Sequence, residues 1–169
     1  MSPNAALARV DSPPREPATV TVTSDLLGLV TPSRESTFTF PVGMFGFPEC
    51  RQFALLAAGR EGLFWLQSME HTALTFLLAD PFLFFDGYAV ELGAGDRAEL
   101  HLHDDANADD VAVLVIVTLP RTRDELPTAN LQGPVAVNFA SHVGRQLALA
   151  EGSWGVRCPL DLAAPRTLP

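Results

Sequence analysis

The sequence contains no lysine and has few positive charges of any kind. Its eleven basic residues are all arginine and stand against twenty Asp and Glu, which gives 169 residues a formal net charge of −9 at pH 7. Proteins that bind nucleic acid or an anionic membrane surface present a basic face. The charge balance therefore argues against direct binding to either, and we predict neither a nucleic-acid nor a membrane partner.

Cysteine is scarce as well, with only Cys50 and Cys158. The two lie far apart in sequence, form no CxxC pair and have no local zinc or redox motif around them. No apolar run approaches the ~20 residues that a membrane helix requires. Residues 1–17 also lack the basic-then-apolar layout of a signal peptide. These absences predict a cytoplasmic protein.

The length and the apolar content predict one domain with a substantial core, since 47% of the residues are hydrophobic and 18% are charged. Prolines are frequent before Ala18, and proline removes backbone donors and restricts its neighbours. We therefore expect residues 1–17 to form a flexible Pro-rich extension. Residues 162–169 are expected to form a flexible tail, which leaves a single domain over residues 18–161.

Short strand-like segments follow one another through the middle of the chain. They alternate polar and apolar residues, or are short apolar runs bounded by turn residues. The predicted strands are 19–23, 36–40, 63–67, 73–78, 111–119, 135–139 and 146–149. Helical periodicity is limited to 96–100 and to 50–55, where strand propensity competes with it. The pattern predicts a mostly β fold, a small antiparallel β-barrel-like or sandwich domain with one or two short helices.

Two aromatic segments are candidates for a binding surface. In residues 40–48, Gly43 and Gly46 permit turn conformations beside Phe45 and Phe47, and no helix or lysine follows to make a phosphate-binding loop. Residues 80–88 hold three phenylalanines and a tyrosine. The side chains of each segment either build the core or face a partner, and the sequence alone leaves both interpretations open.

The sequence lacks the patterns that catalysis and metal binding require. His101, His103 and Asp105 would share a face if they lay on a strand, and could then bind a metal ion. The Asp-rich surroundings favour a solvated loop instead. No GxSxG or HExxH motif is present. We predict that the protein is not an enzyme and has no catalytic residue, no metal site and no cofactor.

An acidic stretch lies between residues 91 and 110, where only Arg97 offsets seven carboxylates. Such a run is typical of a solvated face that keeps a protein soluble. It is also compatible with a negative patch that steers a basic partner or repels nucleic acid. The acidic residues are Glu91, Asp96, Glu99, Asp104, Asp105, Asp109 and Asp110.

A series of landmarks spans residues 19–160 in a fixed order. It consists of Phe40-Pro41-x-Gly43-x-x-Gly46-Phe47, Leu66-Gln67-Ser68, Asp80-Pro81-Phe82 with Phe84-Phe85 and Tyr88, Val113 to Thr118, Asn130-Leu131-x-x-Pro134-Val135-x-Val137-Asn138, Gly144-Arg145-Gln146 and Arg157-x-Pro159-Leu160. In this order and spacing the series resembles the family of the bacterial flagellar assembly factor FliW. Trp154 and Cys158 depart from the family pattern, which leads us to expect Tyr and His there, and the extension before Ala18 is longer than expected.

The resemblance implies a small β-barrel-like protein without catalysis. Members of the family bind newly made flagellin in the cytoplasm. They also bind the translational repressor CsrA and prevent it from silencing its target messages, flagellin among them, by an allosteric route. Since no charged heptads or long helices suggest a coiled coil, we expect a monomer.

The candidate partner-binding residues are aromatic anchors and the residues that shape or hold them, because buried aromatic side chains dominate interface energies. They are Pro41, Gly43, Phe45, Gly46, Phe47, Phe84, Phe85, Tyr88, Asn130 and Asn138. Two other functions stay open at this point. A carbohydrate- or small-ligand-binding β module would need a pocket lined by Trp65 and Trp154, and a metal-dependent enzyme would use His101 and His103.

Overall fold

The protein is a β-barrel with short helices packed on its outside. The structure is a computed structural model that describes residues 3–12, 20–103, 108–150, 152 and 154–163. In these residues the strands are β1 (Val22–Ser24), β2 (Gly28–Val30), β3 (Thr37–Thr39), β4 (Gln52–Ala57), β5 (Leu63–Ser68), β6 (Thr75–Ala79), β7 (Val111–Thr118), β8 (Thr128–Asn138), β9 (Val143–Gln146) and β10 (Cys158–Pro159). The helices are α1 (Pro81–Phe84) and α2 (Ala94–Glu99), and 3₁₀ turns occupy Ala5–Arg9, Arg34–Ser36 and Ala108–Asp110. The predicted fold class is confirmed.

Seven strands close the barrel in the order β8, β7, β6, β5, β4, β3, β9, and β9 pairs back to β8. Neighbouring strands are antiparallel except β3 and β9, which pair in parallel with Thr39 opposite Val143. The short strand β10 lies against the first residues of β8, where Cys158 is opposite Ala129. Strands β1 and β2 form a separate two-stranded ribbon. A closed barrel leaves few unpaired strand edges.

Barrel closure depends on an irregularity in the long strand β8. One edge of β8 pairs with β7, and the other pairs first with β10 and then with β9. Between these two partners the Asn130 side-chain oxygen accepts hydrogen bonds from the N–H groups of Gln132 (3.2 Å) and Gly133 (2.9 Å). The register with β7 shifts at the same level, between Leu114 and Ile116. Such irregularities bend a strand, which allows β8 to serve two neighbours on one edge.

Alternate side chains of the barrel strands fill its interior and cover its outer face, as strand geometry requires. In β5, Phe64 and Leu66 belong to the interior cluster, whereas Leu63 and Trp65 belong to a cluster on the outside. Strand β7 is buried on both faces, since Leu114 packs inside and Val115 outside. Other interior side chains are Phe38, Phe40, Phe53, Leu55, Leu78, Val135 and Val137.

Residues 3–12 pack against the barrel, which differs from the flexible extension expected there. Strand β6 ends opposite Val115, so the backbone of Val113 has no strand partner on that edge. The Asn4 side chain donates to the Val113 carbonyl (2.7 Å) and accepts from the Val113 N–H (2.8 Å), while Ala6 and Leu7 are buried. Residues 13–17, with three of the four prolines of the expected extension, lie outside the described residues, as do residues 164–169 of the expected tail.

The remaining elements match the expectations in part. Helix α2 lies where a helix was predicted, and the ambiguous segment 50–55 overlaps β4. The predicted strand 146–149 was wrong in its position, since β9 ends at Gln146. The N–H groups of Leu147 and Leu149 nevertheless donate to the carbonyls of Pro134 and Gln132. No helix of the described residues is both long and apolar enough to cross a membrane.

Candidate functional site

The loop of residues 41–48, called the Phe45 loop below, ends in a tight turn. The Phe47 N–H donates to the Met44 carbonyl (2.8 Å) and the Met44 N–H donates to the Phe47 carbonyl (3.3 Å). Gly46 has φ +86°, which the second central position of a type II turn requires. Phe45 occupies the first central position, at the tip of the turn, and 58% of its surface is exposed.

The lower part of the Phe45 loop is closely packed. Gly43 has φ +69°, and a Cβ atom there would lie 2.4 Å from the Phe47 carbonyl oxygen. The next residue, Met44, is buried in the barrel interior. Glycine is therefore required at this position both for the backbone conformation and for space. Gly43 and Gly46 both have positive φ in this loop, and their part in partner binding stays a prediction.

The buried Gln146 side chain, which is not among the candidate residues, holds the turn by hydrogen bonds from the barrel side. The Gln146 side-chain oxygen accepts a hydrogen bond from the Phe45 N–H (2.9 Å), and its amide nitrogen donates to the Gly133 carbonyl (3.3 Å). Because Asn130 holds the N–H of Gly133, the irregularity of β8 and the Phe45 loop form one connected network. The signal in the sequence is limited to a glutamine directly before the apolar residues 147–149, where a buried amide would need hydrogen-bond partners.

The exposed apolar surface of the loop consists of Val42, Phe45 and Phe47, called the Phe45 tip below. Val42 is 55% exposed and Phe47 37% exposed. The Phe47 ring packs edge-on against Phe76, with 5.9 Å between ring centroids. Phe45 is therefore a large, solvent-exposed apolar side chain whose backbone is held in a fixed turn. Such a side chain is suited to enter a pocket of a partner.

The second aromatic segment packs onto the barrel. Asp80 caps α1 by accepting a hydrogen bond from the Phe82 N–H (3.0 Å), and Pro81 occupies the first helical position. Tyr88 is 5% exposed, and its hydroxyl donates to the Leu131 carbonyl (2.9 Å). Burial raises the pKa of the Tyr88 hydroxyl well above its usual value. The structure thus places Tyr88 in the core.

Phe84 and Phe85 are half-buried in the cluster on the outer face of the barrel. The Phe85 ring lies 6.1 Å from Trp154, which in turn lies 5.6 Å from Tyr88. Trp65 belongs to the same cluster. Described residues line surface cavities around Gly62, around His142 and around Arg121, and neither tryptophan is among those lining residues. A ligand pocket between Trp65 and Trp154 stays a prediction.

The two candidate asparagines bind backbone groups. Asn138, at the end of β8, is 2% exposed, donates to the Leu100 carbonyl (2.9 Å) and accepts from the Ala140 N–H (2.9 Å). Asn130 holds the irregularity of β8. Asn138 therefore fixes a strand end, and Asn130 fixes a strand irregularity.

The ten candidate residues do not form one surface. The Phe45 loop lies at the end of the barrel where the β5–β6 turn also lies, since the Met69 N–H donates to the Gln52 carbonyl (2.9 Å). Helix α1 begins at the opposite end, where the Asp80 N–H donates to the Gly62 carbonyl (2.8 Å). Pro41 is exposed like Phe45. A partner that contacts these two residues at one end of the barrel does not reach α1 at the other end. The binding role of all ten residues stays a prediction.

The histidine arrangement considered for metal binding is not formed by the described residues. His101 and His103 lie in the turn and loop after α2 instead of on a strand, and Asp105 lies outside the described residues. Within the described chain a different group, Glu49, Cys50 and His71, has donor atoms within 4.8 Å of one another. Burial, followed by the charge of Glu49, raises the pKa of the Cys50 thiol.

Part of the acidic stretch forms ion pairs within the protein. Arg145 Nε lies 3.2 Å from an Asp96 carboxylate oxygen, and the Arg145 guanidinium also contacts Glu99. Arg9 pairs with Asp110 at 2.6 Å. Asp104 and Asp105 lie outside the described residues. The stretch is therefore not simply a solvated face, because three of its carboxylates bind arginines.

Comparisons with known proteins agree with this architecture. The family model described as FliW protein matches residues 21–160. The flagellar assembly factor FliW of Natranaerobius thermophilus is 34% identical over 140 residues, which cover 82% of this chain and 91% of the relative. The protein of the same name from Moorella thermoacetica is 40% identical over 111 residues, 65% of this chain and 68% of the relative. A crystal structure of the flagellar assembly factor FliW superposes with a TM-score of 0.73 at 27% identity, covering 83% of this chain and 96% of the other.

Proposed function

This chain belongs to the FliW family of flagellar assembly factors, and from that premise we propose that it binds newly made flagellin and a CsrA-type translational repressor in the cytoplasm. Binding to the repressor prevents the silencing of flagellin messages. When flagellin is abundant it occupies the protein, and when flagellin is scarce the protein is free to relieve repression. The proposed activity is binding, and it involves no catalysis.

The observation that carries the proposal is the exposed Phe45 at the tip of a rigid turn. Burying a whole phenylalanine side chain is worth ~1.5–3 kcal/mol, so the exposed part of Phe45 is worth about 1–2 kcal/mol when a partner covers it. The brace from Gln146 fixes the backbone of the turn before binding. A fixed anchor loses little conformational entropy when it binds, so more of that free energy contributes to affinity.

The net charge of −9 supports the repressor arm of the proposal. An RNA-binding repressor needs a basic surface for the phosphates, and an acidic protein bound beside that surface lowers RNA affinity by repulsion. This electrostatic contribution predicts antagonism that weakens as salt concentration rises. Antagonism that is independent of salt would argue against it while leaving partner binding in place.

The experiment is an affinity capture from the native cytoplasm of flagellated cells, with the full chain as bait and mass spectrometry as the readout. We expect flagellin and a CsrA-type protein among the captured proteins. The Phe45→Ala bait should recover about tenfold less of the partner that covers the Phe45 tip, because 1.4 kcal/mol corresponds to a tenfold change in affinity.

The matched control is Leu126→Ala, which shortens another side chain that is 58% exposed, in the segment between β7 and β8. We expect this bait to behave as the wild type does. Thermal unfolding of both variants verifies that the fold is intact. If the wild-type bait recovers neither partner from cells that make flagella, the proposed function is wrong. If Phe45→Ala and wild type recover both partners equally, the Phe45 tip is not the binding surface.

A further inference from the structure

Three side chains with different metal-binding groups converge at the base of the Phe45 loop. Glu49 and Cys50 directly follow the loop, and His71 lies in the turn between β5 and β6, about twenty residues further along the chain. Their donor atoms all lie within 4.8 Å of one another, and the Cys50 sulfur is 3.9 Å from a Glu49 carboxylate oxygen. Cys50 is 1% exposed, whereas Glu49 and His71 are exposed. The group is thus open to an ion from solvent on one side.

Hydrogen bonds from backbone N–H groups to the side chains of Glu70 and Ser68 hold the two segments in place. The Glu70 carboxylate accepts from the N–H groups of Arg51 (2.5 Å) and Gln52 (3.0 Å), which connects the turn to the strand that follows Cys50. The Ser68 hydroxyl oxygen accepts from the N–H groups of Glu70 (3.2 Å) and His71 (3.1 Å). Ligands on a backbone fixed in this way are pre-organised for an ion.

We propose that Glu49, Cys50 and His71 bind one divalent transition-metal ion, with zinc the best match to their chemistry. A thiolate, an imidazole and a carboxylate are all zinc ligands, and three protein ligands with one water complete a tetrahedron. Zinc bonds of ~2.0–2.3 Å place neighbouring donors roughly 3.4–3.8 Å apart. Side-chain rotations that bring the donors about 1 Å closer therefore satisfy the geometry, and the two exposed ligands are free to make them.

The electrostatics of the site favour a cation. Both Glu49 and Glu70 place negative charge beside the Cys50 thiol. Binding forms a sulfur–metal bond and releases the thiol proton to solvent, with no change of oxidation state. The bound ion would tie the base of the Phe45 loop to the β5–β6 turn. Metal binding is independent of the proposed function, whereas any effect of the ion on partner binding rests on it.

The test titrates the metal-stripped, reduced full chain with Co²⁺ and then with Zn²⁺. We expect one Co²⁺ per chain, a thiolate-to-cobalt charge-transfer band and the visible absorption of a tetrahedral ion, all removed when Zn²⁺ displaces the cobalt. Zinc should also raise the midpoint of thermal unfolding, because a ligand that binds only the native state stabilises it. Absence of the thiolate band in the wild type would overturn the proposal.

Variants separate this site from other metal binding. His71→Ala changes an exposed side chain and should weaken Co²⁺ binding by more than ~10-fold, and Cys50→Ser should abolish the thiolate band. Cys158→Ser removes the other thiol and should leave the titration unchanged. A thiolate band that survives in Cys50→Ser and disappears in Cys158→Ser would also overturn the proposal. Since His71→Ala leaves the core intact, the test does not depend on whether Cys50→Ser folds.

Discussion

Replacing Asn4 by alanine tests whether the amino-terminal segment belongs to the folded domain. The Asn4 side chain makes three buried hydrogen bonds: two with the backbone of Val113, and one that its amide donates to the Asp80 carboxylate (2.9 Å). Val113 itself is 9% exposed. The variant therefore leaves a buried N–H and a buried carbonyl of β7 without their partner.

An unsatisfied buried polar group costs ~1–3 kcal/mol, so two of them predict a loss of about 2–6 kcal/mol in the free energy of unfolding. Water reaches Val113 if residues 3–12 detach, and the cost of that detachment sets the upper limit. The assay is urea unfolding of the full chain. We expect a lower midpoint with an unchanged slope if the segment stays packed, and a smaller slope if it detaches, because the slope scales with the surface exposed on unfolding.

The matched control is Ser12→Ala, in the same segment. Ser12 is exposed and its hydroxyl donates to the Ala8 carbonyl (3.1 Å) within the same segment, so we expect a change within ~0.5 kcal/mol. If Asn4→Ala also stays within ~0.5 kcal/mol of the wild type, the reasoning is refuted. Water would then replace the hydrogen bonds of Asn4 at no cost in stability.

Two further predictions concern a buried carboxyl and a buried glycine. Burial raises the pKa of Asp80 from 3.8 to about 6, so the folded state favours the protonated form, and stability falls as pH rises through this range. The rise in pKa corresponds to about 3 kcal/mol of stability lost at high pH. Asp80→Asn should remove this loss of stability. A stability difference between wild type and Asp80→Asn that does not change from pH 4 to 7 would contradict the raised pKa of Asp80. A Cβ atom on Gly144 would lie 2.3 Å from the Phe40 ring, so Gly144→Ala should cost ~1–3 kcal/mol in thermal or urea unfolding. The control is Gly95→Ala, in α2 with open space around it, which should not destabilise the protein. If Gly144→Ala is as stable as the wild type, the barrel accommodates the extra methyl group and the reasoning is wrong.

The strands were predictable because their signal is local. Alternation in 36–40 and the apolar run of β7 reflect which faces are buried, and each is visible within a few residues. The choice between barrel and sandwich was not predictable, since closure depends on the pairing of β3 with β9 and on the irregularity near Asn130. These are contacts between distant segments, and no local pattern encodes them.

The candidate site was predictable to the same extent. Glycines flanking Phe45 indicate a turn with an aromatic residue, and the structure has that turn. The brace from Gln146 and the convergence of Cys50 with His71 arise only when the barrel closes. The packing of residues 3–12 was not predictable, because frequent proline indicates a lack of regular structure, which is not the same as a lack of contacts. Asn4 packs by side-chain hydrogen bonds that need no helix or strand.

The parallel pairing of β3 with β9 has a consequence for how the chain folds. Thr39 and Val143 are about a hundred residues apart, so most of the domain has to be synthesised before the barrel closes. Until then β3 is an unpaired strand edge, and the aromatic side chains beside it are exposed to solvent. Domains that depend on such distant pairings fold slowly and expose surface prone to aggregation. In this protein, closure of the barrel and formation of the Gln146 hydrogen bonds to the Phe45 loop are one late event, so a nascent chain has no completed Phe45 tip before β9 is in place.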